Sequence, residues 1–124
     1  MKKEEINKLF EGLLNKYFDL KMVSLCTSDG FGILHQSRLD DEVELDRVSA
    51  ITSSLVSLGN ASSKQIIGGN LHSTIVETDN GNLLIKKLKL AEKELVLSIV
   101  TSKKMLLGEA NYLITMCAKN IALM

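Results

Sequence analysis

A run of six residues near the C-terminal end, residues 95–100, most constrains what this chain can fold into. Five of the six are leucine, valine or isoleucine, and they do not alternate with polar residues. A strand with this pattern is apolar on both faces, which is typical of the centre of a sheet that is covered on both sides. It therefore predicts three layers, with helices packed above and below one sheet.

Periodicity and turn residues predict the other elements. Apolar side chains at three- and four-residue steps form one helical stripe from Ile6 to Phe18 and another from Leu106 to Met124. Turn sequences at 29–30 and 79–81 are each expected to join two strands. The predicted order is a helix, strands 22–28 and 31–37, a second helix ending near residue 64, strands 71–78, 82–88 and 95–100, and a last helix. This order, αββαβββα, predicts an α/β, three-layer α-β-α sandwich with a five-stranded, mainly antiparallel sheet, as one domain over residues 1–124.

The charge balance and the apolar runs exclude several classes of protein. Fifteen Lys and Arg residues balance fifteen Asp and Glu residues, and the formal net charge is zero. Proteins that bind nucleic acid carry an excess of basic residues, so we expect no nucleic-acid partner. The apolar runs are too short for a signal peptide or a membrane span, so we expect a cytoplasmic protein without membrane insertion.

The reactive side chains do not indicate catalysis. Cys26 and Cys117 lie in apolar stretches and are expected to be buried thiols. His35 and His72 have no second ligand at metal-binding spacing. We therefore expect no catalytic residue, no metal site and no cofactor.

Two further patterns are interpreted as loops. Gly30-Phe31-Gly32 and Gly68-Gly69 lack the following lysine and hydroxyl residue of a phosphate-binding loop, so they are expected to be turn glycines. The acidic residues 40–42 have no apolar pocket evident around them, and a solvated loop is the better interpretation than an acid/base pair.

The second helix is the most informative element for function. We predict that it buries Val48, Ile51, Leu55 and Leu58. Its other side then carries small and polar residues, flanked by Ala50 and Val56: Asp46, Ser49, Ser53, Ser57 and Asn60. Serine is a poor helix former, and a face of small side chains permits a second helix to approach closely. This face is either a helix-packing surface or a serine-rich solvated surface.

The third strand, residues 71–78, is predicted to lie at a sheet edge. It is too polar for the middle of a sheet, yet it is rich in β-branched residues. It contains neither the lysine nor the proline that usually protects an open edge. Either a second copy pairs with this edge, or a loop shields it.

Taken together, these pieces resemble the Roadblock family of dynein light chains and GTPase regulators. The resemblance rests on the order of elements, on residues 23–32, on the serine-rich second helix ending near Gly68-Gly69, and on residues 81–85. It implies a dimer, homodimeric or paired with a paralogue, that joins its second helices and third strands. The implied interface comprises Arg47, Ser49, Ala50, Ser53, Ser54, Val56, Ser57, Asn60, Ser73 and Ile75.

The resemblance also implies a function. Members of the family bind small Ras-like GTPases as activating partners or scaffolds, so we expect a non-enzymatic adaptor or regulator of such a GTPase. An arginine finger is not expected from Arg38 or Arg47. The alternative is a small-ligand sensing or dimerisation module of a signalling system. The chain has five aromatic residues, so few side chains are available to stack on an aromatic ligand.

Overall fold

The order of helices and strands in the computed structural model, which describes residues 2–39 and 43–124, confirms the prediction. The elements are α1 (Lys3–Lys16), β1 (Leu20–Thr27), β2 (Gly32–Ser37), α2 (Leu45–Ser62), β3 (Thr74–Thr78), β4 (Gly81–Leu90), β5 (Lys93–Thr101) and α3 (Leu107–Ala122). A π-helical turn, Ser63–Ile67, extends α2. The acidic residues 40–42 lie outside the described residues, so their interpretation as a solvated loop stays a prediction.

The five strands form one antiparallel sheet in the order β2-β1-β5-β4-β3. The strand that is apolar on both faces, β5, lies at its centre, as predicted. Leu97 and Ile99 of this strand are 0% and 1% exposed. The third strand lies at an edge, as predicted, although it begins at Thr74 rather than at residue 71.

The two faces of the sheet are covered very differently. One face carries α1 and α3, and the core there consists of large aliphatic side chains with Phe10. The other face carries α2, and the buried cluster there is small: Cys26, Val56, Ile85 and Val96. Because hydrophobic stabilisation scales with apolar area, α1 and α3 are held more strongly than α2.

Two residues of the predicted helical stripes are exposed, so the prediction was wrong for them. Phe18 is 76% exposed and Leu106 is 77% exposed. The α1 helix has ended at Lys16, and Leu106 precedes α3 in an extended conformation. Both lie outside helical geometry, where the helical period no longer directs a side chain toward the sheet.

Candidate interaction surface

The α2 helix packs on the sheet through small side chains. Its buried residues are Val48, Ser49, Thr52 and Val56. The Thr52 hydroxyl donates to the Val48 carbonyl oxygen at 2.9 Å, and it lies 3.7 Å from the Cys26 sulfur on β1. The contact between helix and sheet is therefore close and partly polar.

Two glycines permit this close approach. A Cβ at Gly32 of β2 would overlap the Leu45 side chain at the start of α2. A Cβ at Gly59 of α2 would lie 3.0 Å from Leu71 and 3.1 Å from Thr74, which is tighter than ordinary van der Waals contact. The helix therefore lies lower over the sheet than a helix with larger residues at its contacts.

The predicted orientation of α2 holds for Val48, which is buried, but it is wrong for four other residues. Ser49 and Val56, predicted to face outward, are 0% and 6% exposed. Ile51 and Leu58, predicted to be buried, are 51% and 66% exposed. The helix buries the stripe that allows the closest approach to the sheet, rather than its most apolar stripe.

The other predicted interface residues lie at several positions on the surface. Arg47, Ala50, Ser54 and Ser57 are exposed, while Ser53, Asn60 and Ser73 are half-buried. A Cβ at Gly30 would lie 3.1 Å from the Ser53 hydroxyl oxygen, so Ser53 faces the β1–β2 turn. The outermost part of α2 is therefore formed by Arg47, Ala50, Ser54 and Leu58.

The β3 strand forms an open edge beside α2. It pairs with β4 and is the last strand of the sheet. Ile75 is 44% exposed at this edge. No lysine or proline lies between Thr74 and Thr78 to prevent another strand from pairing there.

An apolar groove lies between α2 and β3. Register places Met22, Val100, Leu83 and Val76 side by side on four adjacent strands. One cavity of about 160 Å³ lies over the first three of these residues, with Ile51 as part of its wall. A second cavity of about 320 Å³ shares Leu83 and Val100 with the first and adds Val76. We call this continuous depression the apolar groove.

The two cysteine thiols are buried, as predicted. Burial raises the pKa of Cys117 to about 12. Burial also raises the pKa of Cys26, and hydrogen bonds with Thr52 and Ser49 offset part of that effect. Both thiols are therefore protonated at neutral pH, a state unsuited to nucleophilic attack.

The two histidines lie in different environments. His35 is half-buried on β2, where desolvation lowers its pKa and a hydrogen bond with the Val43 backbone partly offsets the effect. Its Nδ1 atom is buried without a hydrogen-bond partner in the described part of the chain. His72 is exposed, and its carbonyl oxygen accepts a hydrogen bond from Lys86 Nζ at 3.4 Å.

The two arginines have different roles. The Arg38 guanidinium donates to the Tyr17 and Leu20 carbonyl oxygens at 2.6 and 2.7 Å, which ties β2 to the end of α1. Arg47 is exposed in the first turn of α2. The Arg38 side chain is therefore held by backbone carbonyl groups of its own subunit, whereas Arg47 is accessible to a partner.

Two other kinds of site are absent from residues 2–39 and 43–124. Within them, no group of three or more His, Cys, Asp and Glu side chains is arranged to hold a metal ion. No helix in that part of the chain combines the length and apolarity needed to cross a membrane.

Comparison with known proteins identifies the family. Residues 7–101 match the family model described as the Roadblock/LC7 domain, which confirms the resemblance found in the sequence. Comparison with curated protein sequences gives no match.

Several solved structures share the fold. A Roadblock/LC7 domain from Streptomyces avermitilis is 22% identical, with a TM-score of 0.78 and coverage of 92% of each chain. Myxococcus xanthus MglB is 17% identical, with a TM-score of 0.79 and coverage of 95% of this chain and 92% of that chain. A structure described as MglB with tetrameric arrangement is 16% identical, with a TM-score of 0.82 and coverage of 97% and 87%.

Proposed function

Since the chain belongs to the Roadblock/LC7 domain family, we propose that it is a non-enzymatic adaptor or regulator that acts as a homodimer and binds a small Ras-like GTPase. The observation that carries this proposal is the outward direction of Ile51 and Leu58 on α2. Large apolar side chains beside an apolar groove and an open strand mark an interaction surface. Burying one leucine or isoleucine side chain contributes about 1.5–3 kcal/mol, so covering this surface in two subunits is favourable.

A two-fold axis perpendicular to the sheet can cover both features at once. Two β3 strands would pair antiparallel across the axis, and both α2 helices would lie on the same face of the joined sheet. The partner's α2 would then occupy the apolar groove. A solved structure described as MglB with tetrameric arrangement gives further support for assembly in this fold.

The proposed interface differs from the one expected from sequence in five residues. It keeps Arg47, Ala50, Ser54, Ser57, Asn60, Ser73 and Ile75 and adds Ile51 and Leu58. It omits Ser49 and Val56, which pack against their own sheet, and Ser53, which faces the β1–β2 turn.

The GTPase partner and the cytoplasmic location are proposals that rest on the family resemblance. We propose that the chain acts without an arginine finger, because Arg38 is bound to backbone carbonyls and Arg47 belongs to the proposed dimer surface. A GTPase activator that supplies no arginine can still act by ordering the GTPase's own catalytic groups.

The test is a pull-down with the tagged chain, followed by comparison of the recovered GTPase in its GDP and GTP states. We expect one Ras-like GTPase to bind with a preference for one nucleotide state. In an Arg47→Ala variant that light scattering shows to be dimeric, any acceleration of GTP hydrolysis should be unchanged within about threefold, whereas loss of an arginine finger would reduce it by about 10³-fold or more. Recovery of no GTPase, from cells that contain the protein's natural partners, would contradict the proposal.

Small-ligand sensing is the second candidate, and one cavity favours it. This cavity has a volume of about 600 Å³ and is lined by His35, Ser37, Leu39 and residues 43–46. A ligand there would leave Ile51 and Leu58 exposed, so the dimeric adaptor accounts for more of the surface. A thermal-shift screen with small metabolites distinguishes the two candidates, since only a sensor is stabilised by one of them.

A further inference from the structure

A polar cavity lies at the C-terminal end of α2, at the opposite end of that helix from Arg47. Its volume is about 270 Å³, and its lining includes Asn60, Lys64, Gly69, Asn70, Lys87 and Glu94. This volume is ample for a group of a few heavy atoms. The chemistry of the lining indicates what kind of group it accepts.

Two lysines from different elements converge on this cavity. Lys64 belongs to the π-helical turn after α2, and Lys87 belongs to β4. Lys87 Nζ donates to Asn60 Oδ1 at 3.1 Å, which positions its ammonium group at the cavity wall. An ammonium group has three donors, so further donors of Lys87 remain available to a ligand.

Two lysine ammonium groups and one carboxylate, that of Glu94, line the cavity, so its lining carries a net positive charge. Among the residues that the structure describes, the single ion pair within 4.0 Å joins Lys2 and Glu5. Glu94 is the acidic residue of the lining, and it stands directly opposite Lys89 in the β4–β5 register. Directly opposed residues of opposite charge attract each other, but no ion pair within 4.0 Å joins Glu94 to Lys89 in the described part of the chain.

The backbone beside the lysines is shaped by two glycines. Gly68 and Gly69 have φ angles of 82° and 98°, which other residues adopt only with strain. They turn the chain from the π-helical turn to Asn70, which also lines the cavity.

We infer that this cavity is a binding site for a phosphate group. Two lysine ammonium groups and amide donors suit an oxyanion, and a dianion gains more from them than a singly charged carboxylate does. The group can belong to free phosphate, to a nucleotide or to a phosphorylated side chain, since the shared chemistry is the phosphate itself. This site shares Asn60 with the proposed dimer surface, but phosphate binding here requires neither the dimer nor the GTPase.

The test is an NMR titration of the full chain with sodium phosphate at constant pH and ionic strength. We expect saturable shifts of the Gly69 and Asn70 amides, and no equivalent shifts with sodium chloride. Lys64→Gln combined with Lys87→Gln should weaken binding by about tenfold or more, because two charge-assisted contacts are lost. Lys103→Gln combined with Lys104→Gln removes the same charge from the β5–α3 loop and should leave binding unchanged.

Two further probes distinguish the source of the phosphate group. Tighter binding of O-phosphoserine than of inorganic phosphate assigns the site to a phosphorylated protein, and tighter binding of pyrophosphate assigns it to a nucleotide. Amide spectra of every variant verify that the fold is intact. Shifts that match those of sodium chloride, or that persist equally in the Lys64 and Lys87 double variant, would overturn the proposal.

Discussion

Leu97 shows how a single residue supports the fold. It lies at the centre of the middle strand, is fully buried, and faces the core formed with α1 and α3. Close-packed interiors do not collapse completely around a deleted side chain, so the loss includes a cavity cost as well as a transfer cost.

We predict that Leu97→Ala lowers the free energy of unfolding by about 2–4 kcal/mol. Denaturant titration followed by circular dichroism measures this change. Leu123→Ala is the matched control, because Leu123 is 86% exposed, and it should change stability very little. A loss below about 0.5 kcal/mol in Leu97→Ala would mean that the sheet order is wrong.

His35 makes stability depend on pH. Desolvation lowers its folded-state pKa below the ordinary value of 6.5, so the unfolded chain binds a proton more readily than the folded chain. The contribution of neutral His35 to the free energy of unfolding is therefore fully present above pH 6.5, and it is lost as the pH falls toward the folded-state pKa.

We predict that unfolding midpoints in urea fall between about pH 8 and pH 5.5, and that His35→Gln reduces this fall. His72→Gln is the control, since the His72 side chain is exposed. An equal fall in the wild-type protein and in His35→Gln would show that His35 does not contribute.

At the scale of elements, α2 is distinguished by having two of its larger apolar residues outward. It contacts the sheet through Val48, Ser49, Thr52 and Val56, and it presents Ile51 and Leu58 to the surroundings. A helix held by so little apolar area has low local stability. Covering its outer face with a second subunit would stabilise it.

We predict that Leu58→Arg yields a folded chain with a dissociated or much weaker dimer, because it places two charges near the symmetry axis. Light scattering measures the mass, and circular dichroism verifies the fold. Leu123→Arg, directly after α3, is the matched control and should remain dimeric. Ser53→Arg tests the dimer less specifically, because Ser53 contacts the β1–β2 turn and the change would also disturb the fold of its own subunit.

A Leu58→Arg protein that keeps the dimer mass and its melting temperature would contradict pairing through α2. Loss of GTPase binding in the same variant, while Leu123→Arg still binds, would place the partner on the same surface.

At the scale of the whole molecule, the subunit leaves two complementary surfaces open. The exposed α2 face and the unpaired β3 edge lie on either side of the apolar groove. The zero net charge adds little electrostatic repulsion between copies.

We predict a dimer in solution at tens of micromolar. Sedimentation equilibrium should give twice the 13.7 kDa mass of one chain. Raising the salt concentration should leave the dimer intact, because Arg47 is the one charged residue of the proposed interface and no ion pair holds the two copies together. A single 13.7 kDa species at these concentrations would contradict the proposed assembly.

The sequence by itself determined the elements, their order and the central strand. These depend on local patterns: residues 95–100 are apolar on both faces, and Asp29-Gly30 and residues 79–81 are turn sequences. The edge position of β3 could also be predicted, because its polarity does not suit the middle of a sheet. The family resemblance followed from the same patterns.

Only the tertiary structure decided which side of α2 faces the sheet. Two stripes of α2 could each face the sheet, and hydrophobicity alone favours burial of the stripe with Ile51, Leu55 and Leu58. The small stripe at Ser49 and Thr52 is buried instead, because Gly32 and Gly59 allow a close approach that larger side chains would block. The convergence of Lys64 and Lys87 on one cavity likewise depends on how α2 lies over β4, which residues distant in sequence determine together.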